Sequence, residues 1–434
     1  MADLTAELYH AVDSDDFFRL QQLLTQGADV NQYFDDLSHV NSKTILHFAC
    51  AKGRIECIRM LLENGALVNI ADKFRMTSLM YAICANNLDI VKLLLEADSS
   101  TIDVQGTSGR AALHFAVEYG SEVITDILLQ KDGNPNIQNY QGFTPLMTLI
   151  WLKNIDNYLQ LMKLFVSYGA DVNIKSYRDN RNALHLAVIT KKVDAVEYLL
   201  EQKADPNTID STGRTPLTSI FTYHLSKIKA SEPPDDVIAM VVLLTKAGTA
   251  MNMSDTDSCN PLLMAVKSQC HHFVRYFLEN GANVDVKEPH SMATPLMLAV
   301  RNNNLKTIQT LLEWNCRLDM VGLCRLQDQD VRMDPFELAA YNESMDIVNL
   351  LFNHGYNVSR WLWCRAKERN TVASLIKPCV LHALQKYTDY PRYLTDLCVL
   401  SISGYLRSNI CRKLDLLPLP KRIRDDIKWK YFNQ

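Results

Sequence analysis

The chain has 434 residues, 45 basic against 49 acidic side chains, a formal net charge of −4, and 47% apolar against 22% charged residues. That balance belongs to a folded protein and excludes a disordered or collagen-like chain, as well as a global charge suited to nucleic acid. No apolar run approaches the roughly 20 residues that a membrane helix needs. The opening Met1-Ala2-Asp3-Leu4 lacks the basic and apolar regions of a secretory leader. The 11 cysteines follow no paired short spacing, and an odd number without a leader predicts reduced thiols in the cytosol or nucleus.

Self-similarity organises the chain from its first residues. A small or polar residue is followed two positions on by Leu and five positions on by Ala, as in Thr44-Ile45-Leu46-His47-Phe48-Ala49 and Ala111-Ala112-Leu113-His114-Phe115-Ala116. A degenerate copy begins at Ala6, and further copies at Thr77, Thr144, Asn182, Thr215, Asn260, Thr294 and Asp334. Successive starts lie 38, 33, 34, 33, 38, 33, 45, 34 and 40 residues apart. Each signature predicts a short helix. Thr before Pro, as in Thr215-Pro216 and Thr294-Pro295, supplies a cap and a first-turn proline whose missing N–H costs nothing. A second helix follows with apolar residues at helical spacing, as in Leu88 to Leu95. A loop such as Gly169-Ala170-Asp171-Val172-Asn173 then closes the unit. This unit of about 33 residues resembles the ankyrin repeat. The expected fold is all-α: an ankyrin-repeat solenoid of about ten helix-turn-helix repeats with β-hairpin loops, over residues 1–359. Two longer intervals place insertions at 225–237, polar and containing proline, and at 321–333, a lengthened hairpin; surface loops take added length cheaply.

The repeats contain no phosphate loop, no nucleophile elbow and no His-Glu-x-x-His. No catalytic residue, cofactor or metal is therefore expected. His47, His114 and His185 hold one place in three repeats, which predicts a structural hydrogen bond at each. Cys270-His271-His272 has no second ligand pair at zinc-like spacing, and neighbours on a helix point apart. Lys73, Phe74, Arg75, Arg110, Tyr140, Tyr177, Arg178, Arg181 and Arg214 fall at or near successive hairpin tips. Arg and aromatic residues often dominate interfaces, so these nine are the candidate substrate-binding residues: a basic, aromatic rim for an acidic or phosphorylated partner.

Beyond Gly355 the repeat pattern stops. Residues 360–390 read as a helical connector, broken at Pro378, with Trp361 and Trp363 as apolar bulk to close the stack. In 391–434, Leu394, Leu397, Cys398 and Ile402 fall on one face of a helix. Leu417-Pro418-Leu419-Pro420 is a stiff, extended segment, and Ile423 and Ile427 share one face of a last helix. The Leu-x-x-x-Cys spacing followed about 20 residues later by Leu-Pro-Leu-Pro resembles a SOCS box, a three-helix module, and the chain is similar to the ankyrin-repeat and SOCS-box family over nearly its whole length.

The resemblance implies a substrate-recognition subunit of a cullin-5 RING ubiquitin ligase that is not itself an enzyme. Leu394, Leu397, Cys398 and Ile402 would bind elongin C of the elongin B/C pair. Leu417, Pro418, Leu419, Pro420 and Ile423 would bind cullin-5 with its RING subunit, and the repeats would hold an unidentified substrate protein. Tyr393 and Asp426 depart from the family pattern, which commonly has a small residue before the Leu and an aromatic near the end. Residues 406–430 hold eight basic and three acidic side chains, but their apolar registration favours a protein partner over nucleic acid or membrane. The rival reading is an ankyrin scaffold or inhibitor, outside any ligase, whose C-terminal helices only cap the stack.

Overall fold

The computed structural model describes residues 4–35, 42–119, 121–225, 233–253, 260–326 and 329–356. Within them lie ten helix pairs, one per predicted repeat. The first helices are α1 (Leu4–Asp13), α3 (Ile45–Lys52), α5 (Ser78–Cys84), α7 (Ala112–Glu118), α9 (Pro145–Trp151), α11 (Ala183–Ile189), α13 (Pro216–Ile220), α15 (Pro261–Lys267), α17 (Pro295–Arg301) and α19 (Pro335–Tyr341). Their partners are α2 (Phe17–Thr25), α4 (Ile55–Glu63), α6 (Leu88–Ala97), α8 (Glu122–Gln130), α10 (Tyr158–Ser167), α12 (Val193–Glu201), α14 (Asp235–Lys246), α16 (His271–Glu279), α18 (Leu305–Glu313) and α20 (Met345–Asn353).

The repeat phase read from the sequence is the capping phase of the fold. Thr44, Thr77, Ala111, Thr144, Asn182, Thr215, Asn260, Thr294 and Asp334 are the N-cap residues of α3 and of every later first helix. The Thr77 side chain accepts from the Met80 amide, Thr144 from Met147 and Asp334 from Glu337. Each bond satisfies an N–H that the first turn leaves without a partner. Pro145, Pro216, Pro261, Pro295 and Pro335 open their helices where no such bond is lost. The Leu and Ala of the signature are sealed: Leu79, Ala82, Leu113, Ala116, Leu184 and Ala187 have no exposed surface. The small Ala lets neighbouring first helices approach, and each buried Leu contributes about 1.5–3 kcal/mol. No single helix pair could bury these faces alone, so the stack is the unit of stability.

The helix pairs form two compact units, α1–α14 and α15–α20. In the first, β1 (Tyr33–Asp35) and β2 (Ser42–Thr44) make an antiparallel hairpin with Tyr33 opposite Thr44. Helix α13 runs on into a wider turn, Phe221–Leu225; residues 226–232 of the first predicted insertion lie outside the described set. In the second unit the lengthened hairpin at 321–333 is β3 (Gly322–Leu326) against β4 (Gln329–Met333), with Cys324 opposite Val331. No helix among the described residues is long and apolar enough to cross a membrane.

Candidate functional site: the hairpin tips of the first unit

The three repeated histidines are structural ties. Each imidazole is fully buried. His47 Nδ1 accepts from the Thr44 amide at 3.1 Å, and Nε2 donates to the Met76 carbonyl at 3.0 Å. His114 does the same with the Ala111 amide (3.2 Å) and the Phe143 carbonyl (2.9 Å). His185 Nε2 donates to the Arg214 carbonyl at 3.0 Å. In His47 and His114 one ring therefore caps its own helix and holds the hairpin of the next repeat, whereas His185 Nδ1 lies 2.7 Å from Asn182 Oδ1. Burial, the largest cause, lowers each pKa to about 4 and so favours the neutral ring, the form that the His47 and His114 pairings require. Cys270 is the N-cap residue of α16, ahead of His271 and His272.

The tips themselves are joined into one edge. The Thr107 hydroxyl donates to the Phe74 carbonyl at 3.0 Å. The Tyr140 amide donates to Ser108 O (3.1 Å), Tyr177 to Gln141 O (3.1 Å) and Ser211 to Asp179 O (2.8 Å). Five successive tips are thus hydrogen-bonded side by side. The approach is close: a Cβ on Gly109 would stand 2.3 Å from the Tyr140 ring, and one on Gly142 would stand 2.2 Å from the Tyr177 nitrogen. Gly109 also has φ +75°, so only glycine fits there without strain or displacement.

On this edge the nine sequence candidates separate into three groups. Phe74, Tyr140 and Tyr177 present their rings to solvent, at 43%, 58% and 65% exposure. Lys73, Arg75 and Arg178 are exposed; the Arg75 guanidinium reaches across the Gly109 tip to donate to the Tyr140 hydroxyl at 3.3 Å. Of the other three, Arg110 and Arg181 have side chains engaged within the fold. Arg110 pairs with Glu118 at 2.5 Å and lies 4.5 Å above the Phe115 ring. Arg181 is held by Asp179 (3.6 Å), Asp210 (3.4 Å) and the Tyr223 hydroxyl (2.5 Å). Arg214 is half-buried; its backbone amide donates to Asp210 Oδ1 at 3.0 Å, and its side-chain Nε is buried without a hydrogen-bond partner among the described residues.

Two tip acids, Asp72 and Asp210, are turned inward, while Asp179 is half-exposed and pairs with Arg181 at 3.6 Å. Asp72 is buried and accepts from the Phe74 and Met76 amides and from the Tyr81 hydroxyl. Asp210 is buried and accepts from the Thr212 and Arg214 amides. These bonds keep its carboxyl below the usual range against an opposing desolvation cost. With Asp179 paired to Arg181, the charge at this edge that faces solvent without an acidic partner among the described residues is positive.

Sequence reasoning missed three exposed aromatics where first helices end: Tyr119, Trp151 and Tyr223, at 50%, 48% and 40% exposure. Trp151 meets Phe143 edge-on, with centroids 6.4 Å apart. Their position seven or eight residues after the N-cap was a usable signal, since the signature buries the first six. The tail candidates Leu394, Leu397, Cys398, Ile402, Leu417, Pro418, Leu419, Pro420 and Ile423 lie outside the described residues.

A family model described as ankyrin repeats in three copies matches residues 8–105, 98–176, 151–224 and 230–322. An ankyrin repeat protein of fowlpox virus is 32% identical over 148 residues, covering 33% of this chain and 42% of its own. The human transient receptor potential cation channel subfamily A member 1 is 26% identical over 334 residues, 66% of this chain and 28% of its own. The mouse B-cell lymphoma 3 protein homolog is 30% identical over 171 residues, 39% of this chain and 36% of its own. The chain spans less than half the length of these relatives.

Proposed function

Because the chain belongs to the ankyrin-repeat family, whose stacks are protein-interaction scaffolds, we propose that it is the substrate receptor of a cullin-5 RING ubiquitin ligase. The repeats hold a substrate protein, and the tail connects it to the ligase. The observation that carries this reading is the joint occurrence of Leu394-x-x-x-Cys398 and Leu417-Pro418-Leu419-Pro420 behind a repeat array. The spacing of Leu394, Leu397, Cys398 and Ile402 suits a helix face docked in a groove on elongin C, a recognition mode that reads apolar anchors at helical spacing. The stiff Leu417-Pro418-Leu419-Pro420 sequence, with Ile423 beyond it, is the part read as selecting cullin-5.

The chain supplies no nucleophile in this mechanism and is not an enzyme. It acts by proximity. A substrate lysine is held near the thioester of a charged conjugating enzyme, and the rate gain is an effective concentration. Burying one Leu such as Leu394 in a partner pocket is worth about 1.5–3 kcal/mol, tenfold or more in affinity. Co-expression with elongin B and C tests the reading. A stable complex that is lost in the Leu394→Pro, Cys398→Phe double variant, with helical circular dichroism unchanged, supports it. A chain that purifies without the elongin pair removes it.

A further inference from the structure

We infer that the hairpin edge from Lys73 to Arg178 is a docking track for an extended, acidic peptide segment of a protein partner. The inference rests on the reading of the repeats as the substrate-holding part and names the chemistry of what they hold.

The backbone of Arg75 provides the first argument. It sits at φ +60°, in the left-handed region that the same tip position takes at Gly109 (φ +75°), Gly142 (φ +81°), Asn180 (φ +52°) and Gly213 (φ +74°). An L-residue with a long side chain is disfavoured there. The fold keeps it, and its guanidinium lies on the exposed Tyr140 hydroxyl two repeats away. The tip conformation is shared along the array, so what distinguishes this tip is the arginine side chain laid along the edge.

Charge provides the second. Asp72 and Asp210 are buried in their turns, and Arg110 and Arg181 are neutralised by Glu118, Asp179 and Asp210. No hydrogen bond or ion pair to an acid is recorded for Lys73, Arg75 or Arg178 among the described residues. They flank three exposed rings, Phe74, Tyr140 and Tyr177. A ligand on this track meets cations at both ends and aromatic surface between them, and rings and arginines are the side chains that most often anchor interfaces.

Length and preorganisation complete the argument. Helix layers repeat at about 8–10 Å, so three steps from the Arg75 tip to the Arg178 tip span roughly 25–30 Å. An extended peptide covers that span with about eight or nine residues. The tip-to-tip hydrogen bonds at Thr107, Tyr140, Tyr177 and Ser211 fix the track before binding, which lowers the ordering cost on association. Single-stranded nucleic acid also stacks on aromatics, but it would bring more phosphates over this span than there are free cations.

The test uses the full chain and two labelled probes in fluorescence anisotropy. One probe is a 12-residue peptide with glutamates at both ends and a Leu-Tyr-Leu centre; the other is a 12-nucleotide single-stranded RNA. The account expects the peptide to bind more tightly than the RNA and to bind at least tenfold more weakly to the Arg75→Glu, Arg178→Glu double variant. Arg75→Gly should weaken peptide binding about threefold or more while leaving the melting temperature unchanged or raised, which a merely structural arginine would not do. Equal binding of the peptide to the parent and double variant, no peptide binding, or tighter binding of the RNA overturns the inference. Capture of elongin B/C is measured separately on the same variants: loss there bears on the ligase reading, and loss of peptide binding alone bears on the track.

Discussion

Acid should unfold this protein through its three repeated histidines. Their folded pKa values lie at about 4, against about 6.5 in an unfolded chain. Below pH 6.5 the unfolded state therefore binds more protons than the folded one, and stability falls as pH falls. The contribution is fully present above pH 6.5 and is lost progressively down to about pH 4. Linkage puts the loss at about 2 kcal/mol per histidine at pH 5 and about 3 kcal/mol at pH 4. Three such sites at pH 5 amount to about 6 kcal/mol, comparable to the whole stability of many domains. The assay is urea denaturation at pH 7.5 and pH 5.0 for the parent and for His114→Gln, whose amide keeps a donor and an acceptor but does not titrate. The variant should be less stable than the parent at pH 7.5, yet lose about 2 kcal/mol less on going to pH 5.0. An identical pH dependence in both proteins would refute the reasoning, because it would mean that His114 does not titrate differently in the two states.

Other substitutions separate close packing from conformation. Gly109→Ala places a methyl 2.3 Å from the Tyr140 ring at φ +75° and should cost about 2–4 kcal/mol in denaturant unfolding. Gly169→Ala, at φ +83° with nothing within 4 Å, should cost only about 1 kcal/mol; equal costs would contradict the tip contact. Asn173 donates to Lys203 O at 3.3 Å and accepts from the Asp205 amide at 2.8 Å, so Asn173→Ala should remove about 1 kcal/mol. Hydrogen exchange at the Asp205 amide should then quicken about fivefold, and an unchanged rate would show that this side-chain tie does not protect it.

The repeat phase was legible because one physical demand recurs in every unit: a cap, a sealed Leu and a small Ala. Nine of the starts read from the sequence are helix caps, and the lengthened hairpin at 321–333 is β3–β4. What the sequence did not reveal is which side chains the fold pairs, within a repeat or between repeats. Arg110, Arg181 and Arg75 look alike in a one-dimensional pattern, but the fold gives Arg110 to Glu118 and Arg181 to Asp210, and leaves Arg75 on a tyrosine hydroxyl. The partner of a charge is set by which tips become neighbours, not by composition. The exposed Tyr119, Trp151 and Tyr223 escaped notice for a related reason: apolar residues in a helical run read as core until the helix is seen to end.

The central claim is that the tail offers Leu394 and Cys398 to another protein while the repeats keep their own fold. Isothermal titration calorimetry of the full chain against purified elongin B/C tests it most directly, with Leu394→Ala as the comparison. The account predicts a saturable one-to-one binding heat, weakened about ten- to hundredfold in the variant, with the same melting curve for both proteins. A full chain that gives no binding heat, or a variant that binds as tightly as the parent, would contradict it.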